Sequence, residues 1–199
     1  PLEDLKTLFV WQTIDGAASY LNDEIYNENF AFYGKILSGR EEPSPLWKRA
    51  VSIVNGTLGE AVGQMYVQKY FPPEAKERML KLVSNLQSAF SERINNLTWM
   101  SGETKLKAQE KLAAFYVKVG YPDKWRDYSA LDIDNKLSFY ANLQKAAKFE
   151  QDYSLSFLNQ PVDRDKWYMT PQTVNAYYNP STNETCFPAG ILQYPFFDM

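Results

Sequence analysis

The segment WYMTPQTVNAYYNPSTNETCFPAGILQYPFF, residues 167–197, decides how the rest of the chain is read. Two short runs rich in β-branched and aromatic residues, Thr173 to Tyr178 and Thr185 to Phe187, flank the polar stretch Pro180-Ser181-Thr182-Asn183. That pattern predicts a hairpin. Pro171, Pro180 and Pro188 bracket both runs, and proline, which cannot donate to a sheet ladder, belongs at strand ends and edges. An edge strand keeps unpaired N–H and C=O groups, to which an extended peptide can add by main-chain hydrogen bonds.

Upstream, the periodicity is helical. Leu5, Leu8, Phe9, Gln12 and Ala17 mark one face and Ile25, Tyr26, Phe30, Tyr33 and Leu37 a second, so Leu2 to Leu37 is expected to form two helices. A third is expected from Ser44 as N-cap and Pro45 at its first position, with Ala50, Ile53, Val54, Leu58, Ala61, Met65 and Tyr66 on one face. Gly56, Gly59 and Gly63 interrupt it, and because glycine weakens a helix by about 1 kcal/mol against alanine, another element is expected to pack closely there. Pro72-Pro73 opens a helix whose apolar residues Met79, Val83, Leu86, Phe90, Ile94 and Leu97 recur every three or four positions. Ser101 is placed to cap the next helix, with Glu103 in its first turn suiting the helix dipole. Val117, Val119 and Tyr121 alternate as in a short extended piece, and Leu137 to Tyr153 carries a last long helix before Pro161. The fold expected is mainly α with a small β part: a helical region over 1–166 and a C-terminal β-hairpin segment over 167–199, with strands including Val174–Tyr178 and Thr185–Phe187.

Composition excludes several classes. With 199 residues, 45% hydrophobic and 16% aromatic, the chain is globular rather than disordered. A net charge of −3 with interspersed signs leaves no basic footprint for nucleic acid. No apolar run approaches the roughly 18 residues of a membrane span. Cys186 is the single cysteine, so neither an intrachain disulfide nor a cysteine-rich metal site can form. The sequons at Asn55, Asn96 and Asn183 are of a kind that arises often by chance. The cluster Asp163-Arg164-Asp165-Lys166 reads as a solvated loop, and Glu103, Glu110 and Glu150 as surface carboxylates without a chemical role. Pro1 suggests a cut or processed N-terminus.

TVNAYYNPSTNETCFPAGILQYPFF closely resembles the segment that precedes the zinc motif in the neprilysin family of metallopeptidases, which includes bacterial PepO-type endopeptidases. VSIVNGTLGEAVGQMYVQKYF, INNLTWMSGETKLKAQEKL and VGYPDKW extend the resemblance over nearly the whole chain. The lack of disulfide-forming cysteines favours a bacterial-type member. The resemblance implies a zinc-dependent hydrolase of short peptides. In that family an Asn-Ala pair on an edge strand binds the substrate backbone; here it corresponds to Asn175 and Ala176. Ile191 and Phe196 correspond to walls of the pocket for the side chain after the scissile bond. Taken alone, Asn175 reads as an exposed polar residue near a turn, and Phe187, Ile191, Leu192, Phe196 and Phe197 read as core.

An HExxH zinc site needs two imidazoles one helical turn apart with a glutamate as base, and this sequence has no histidine. The expectation is therefore a piece of a zinc metalloendopeptidase that carries part of the substrate cleft, binds no zinc alone, has no activity alone, and meets the zinc in the remaining segments of the parent enzyme. An extracytoplasmic location is favoured over a cytoplasmic one. The alternatives are a catalytically inactive helical module that keeps the peptide-docking edge, and a purely structural fragment.

Overall fold

The computed structural model describes residues 1–198. Its elements run α1 (Leu2–Ala18), α2 (Asp23–Asn29), a π-helical segment (Phe30–Ile36), α3 (Leu46–Tyr70), α4 (Pro73–Asn96), α5 (Gly102–Ala113), β1 (Tyr116–Gly120), α6 (Phe139–Leu155), β2 (Tyr177–Asn179) and β3 (Glu184–Pro188). The chain is mainly helical with a small sheet, as its periodicity predicts. It divides into two compact units: residues 1–57 with 128–160, and residues 58–127 with those from 161 on. Leu58, the first residue of the second unit, interrupts α3 with non-helical φ −123° and ψ 29°.

In the first unit the Asn22 side chain caps α2 by accepting from the Ile25 N–H, and the Ser138 hydroxyl caps α6 by accepting from the Ala141 N–H. Polar and ring contacts join its elements. The Tyr33 hydroxyl donates to Asp15 at 3.0 Å, Arg49 lies over the Tyr26 ring at 4.0 Å, and Tyr20 meets Phe139 edge-on. The face predicted for α1 is not covered: Leu5, Leu8 and Phe9 are exposed, as are Leu2, Val10, Trp11 and Ile14. The physical reason is that α1 carries large apolar residues all round, so no single stripe defines an inside. Ser44 does not cap α3. That helix starts at Leu46, and the Ser44 hydroxyl instead accepts from Arg40 at 2.8 Å.

The second unit holds a core of Phe71, Ala75, Met79, Val83, Val119, Ala189 and Leu192, joined by partly buried residues including Val117, Phe187 and Ile191. Pro72 and Pro73 start α4 as expected, Pro73 filling a first-turn position whose N–H would be unpaired in any case. Met79, Val83 and Ile94 of its predicted stripe are buried, while Leu86 and Phe90 are exposed. Ser101 caps α5 through the Thr104 N–H. The glycines of α3 mark close packing at two of three positions. A Cβ on Gly59 would come within 2.6 Å of Thr170, and one on Gly63 within 2.6 Å of Pro171, whereas Gly56 has nothing within 4 Å.

The sheet is ordered β1-β3-β2, β3 pairing parallel with β1 and antiparallel with β2. The expected hairpin is thus two strands of a three-stranded sheet, completed by the extended piece at Val117–Val119. Its first strand is shorter than expected. β2 begins at Tyr177, so Val174, Asn175 and Ala176 precede the ladder. With Tyr177 opposite Cys186, Asn175 would face Pro188, which has no N–H to donate. Beyond it, the Ala189 N–H is committed to Gly120 O and the Gly190 N–H to Pro171 O.

Candidate substrate-docking edge

Side chains alternate across a strand, and paired residues share a face. One face of this sheet carries Val117, Val119 and Phe187 toward the apolar core. The other carries Tyr116, Lys118, Glu184, Cys186 and Tyr177. This second face is polar but not wet. Lys118 is 4% exposed and Glu184 0%. Their ion pair spans 2.9 Å; the Lys118 ammonium also donates to Lys166 O at 2.8 Å, and the Tyr177 hydroxyl donates to the other Glu184 oxygen at 3.0 Å. Such a pair persists in the interior only when its remaining donors and acceptors are also satisfied. Burial, reinforced by the Cys186 and Glu184 side chains, holds the Tyr177 phenol well above its usual pKa. Burial likewise pushes the Cys186 thiol up to about 12.

β2 is an outer strand, so among the described residues one of its edges has no strand partner. Asn175 and Ala176 extend that edge at its N-terminal end, and both are exposed. Asn175 Oδ1 accepts from the Ala176 N–H at 2.8 Å, which leaves the side-chain NH₂ donors without a partner among the described residues. The segment leading into the edge is anchored to the second unit. Gln172 donates to Gly59 O at 2.9 Å, and a Cβ on Gly190 would lie 2.6 Å from Gln172 O and 2.7 Å from Thr173 O. Residues 172–173 therefore cross directly over Gly190, which brings the approach to Asn175 beside the residue before Ile191.

Ile191 is partly buried against the apolar core, and Phe196 is 70% exposed. A pocket of about 190 Å³ lies between the α3–α4 junction and the C-terminal segment. Phe71, Ala75, Leu192 and Phe197 line it, so its walls come from the chain neighbours of Ile191 and Phe196 rather than from those two residues. The buried network is missed by sequence reading. Its one signal is Lys118, a charge inside the otherwise apolar alternation Val117-Lys118-Val119.

The residues present do not fit a zinc ion. The sequence has no histidine, no three His, Cys, Asp or Glu side chains gather as a donor set among the described residues, and the lone thiol is buried. Among the described residues no helix is long and apolar enough to cross a membrane.

Comparison with known proteins shows the family of the chain. The models of peptidase family M13 match residues 1–122 and 175–199. A neutral endopeptidase of Lactobacillus helveticus is 39% identical over 198 residues, which is 99% of this chain and 30% of that protein. The solved zinc metalloprotease Zmp1 of Mycobacterium tuberculosis, in complex with an inhibitor, is 48% identical with a TM-score of 0.90, covering all of this chain and 30% of that one. PepO of Lactobacillus rhamnosis is 34% identical with a TM-score of 0.84, covering 93% of this chain and 29% of that one. The chain thus spans about 30% of the length of these relatives, and it belongs to peptidase family M13.

Proposed function

We propose that this chain is the substrate-docking part of a zinc-dependent metalloendopeptidase that hydrolyses short peptides. The observation that carries this reading is the outer edge of β2, which has no strand partner among the described residues and is continued by the exposed pair Asn175 and Ala176. An extended peptide adds to that edge by main-chain hydrogen bonds, and the Asn175 amide offers donors to its backbone carbonyls. Ala176 keeps the surface low beside it. Ile191 and Phe196 contribute to the wall that receives the side chain after the scissile bond. Zinc and the base that activates its water are supplied by parts of the parent enzyme outside these residues. The exposed apolar surface of α1 supports packing against such parts, because a helix apolar all round belongs in an interior.

The test is Asn175→Ala in the full-length enzyme. Loss of one hydrogen bond to substrate removes about 0.5–1.5 kcal/mol, roughly a threefold to tenfold fall in kcat/KM, with zinc content unchanged. Asn179→Ala is the control, since Asn179 Oδ1 accepts from the Ser181 N–H within the turn. Equal, negligible effects of the two substitutions would remove Asn175 from the site and favour a scaffold role for the hairpin.

A further inference from the structure

The polar face of the sheet lies under the strand that continues Asn175 and Ala176, and no step of peptide docking described above uses it. Its members join three separate stretches of chain. Lys118 comes from β1, Glu184 from β3 and Tyr177 from β2, while Lys166 O belongs to the loop that leads into the docking segment. The Glu184 carboxylate spends one oxygen on Lys118 at 2.9 Å and the other on Tyr177 at 3.0 Å. Tyr177 is the first residue of β2 and directly follows Ala176. Its backbone O also accepts from the Thr185 hydroxyl at 3.1 Å. The strand is thus gripped by main chain and side chain at the point where it leaves the ladder and enters the docking segment.

β2 has a ladder of only Tyr177 to Asn179, and a short edge strand of this kind has little ladder to hold its orientation. A buried, fully paired charge supplies what the ladder lacks, because its geometry tolerates little displacement. We propose that the buried pair Lys118 and Glu184 and the half-buried Tyr177 form a positioning unit that holds the start of β2, and through it Asn175 and Ala176, in the orientation that receives the substrate backbone. These are positioning residues: their side chains point to one another across the sheet face, and none of those side chains is placed to touch the peptide. The inference rests on the docking role of Asn175 and Ala176 proposed above.

The probe is Tyr177→Phe in the full-length enzyme, assayed with an internally quenched oligopeptide carrying a large apolar residue after the scissile bond. This substitution keeps the ring and deletes only the hydroxyl that reaches Glu184. Tyr177→Phe is expected to raise KM about threefold to tenfold with kcat within about twofold of wild type, because binding is lost and the chemistry is not touched. A merely structural role would lower the amount of folded enzyme, and so the apparent kcat, without moving KM. Glu184→Gln, which keeps an acceptor for the Tyr177 hydroxyl, is expected to hold KM closer to wild type than Glu184→Leu. The double variant Asn175→Ala/Tyr177→Phe is expected to raise KM by less than the product of the single effects, since both act on one contact. An unchanged KM in Tyr177→Phe beside an impaired Asn175→Ala overturns this inference alone. Silence of both variants overturns the docking edge and this inference with it. Effects that multiply independently overturn it too, because the network would then act elsewhere than through Asn175.

Discussion

Lys118→Met tests the buried face most directly. The methionine matches the length and apolar character of the lysine stem, so packing is largely kept and the ammonium is lost. Glu184, with no exposed surface, would then hold its carboxylate with the Tyr177 hydroxyl as its hydrogen-bond partner. Removing one partner of a buried pair weakens the folded state by about 3–5 kcal/mol, because the stranded charge has neither water nor counter-ion. At about 1.4 kcal/mol per factor of ten, that is roughly two to nearly four orders of magnitude in the equilibrium for opening the sheet. β3 is the central strand, paired on both sides, so its amides report that opening. Hydrogen–deuterium exchange of peptides spanning residues 184–188 is the assay, and exchange is expected to accelerate by that factor. The triple variant Lys118→Met/Glu184→Leu/Tyr177→Phe removes every member together and is expected to recover most of the protection, since an apolar replacement of a buried pair is often neutral. Acceleration of less than about tenfold in Lys118→Met would refute the account, because it would mean that water reaches Glu184 in the folded protein.

Gly63→Ala should destabilise by about 1–3 kcal/mol, since its Cβ would stand 2.6 Å from Pro171 and 2.8 Å from Gln172; Gly56→Ala, with open space around it, should stabilise by about 0.5–1 kcal/mol, and denaturant unfolding of the two variants compares them. Cys186 is 0% exposed and its thiol is pushed from 9.0 up to about 12, so it should resist alkylation at pH 8 until the protein is unfolded. The folded state holds that proton more tightly than the unfolded chain does. Its contribution is therefore fully present below about pH 9 and lost as pH rises toward 12, and Cys186→Ala, which has no thiol to ionise, should lessen that alkaline loss of stability in a circular-dichroism titration.

Local chemistry makes much of this protein legible in its sequence. Pro72-Pro73 cannot continue a helix and can begin one, so the start of α4 is readable. Ser101 announces α5, and the turn between β2 and β3 is written in Pro180 to Asn183. Gly59 and Gly63 point to a close neighbour, although only folding shows that the neighbours are Thr170 and Pro171. Family membership is readable for a similar reason: the run from Thr173 to Phe197 is long and unusual in composition.

Pairings between distant stretches of chain are not legible. That β1 docks parallel to β3, Lys118 meeting Glu184 across 66 positions, follows from no local signal, because a parallel pair carries no turn to mark it. The start of β2 at Tyr177 rather than Val174 depends on Pro188 standing across the ladder and on Ala189 and Gly190 donating elsewhere. Propensity acts on the few residues around a position and therefore appears in the sequence. Which ladder a strand joins, and which charge is buried with which, depends on loop closures over tens of residues, and those energies exist only once the whole core has formed.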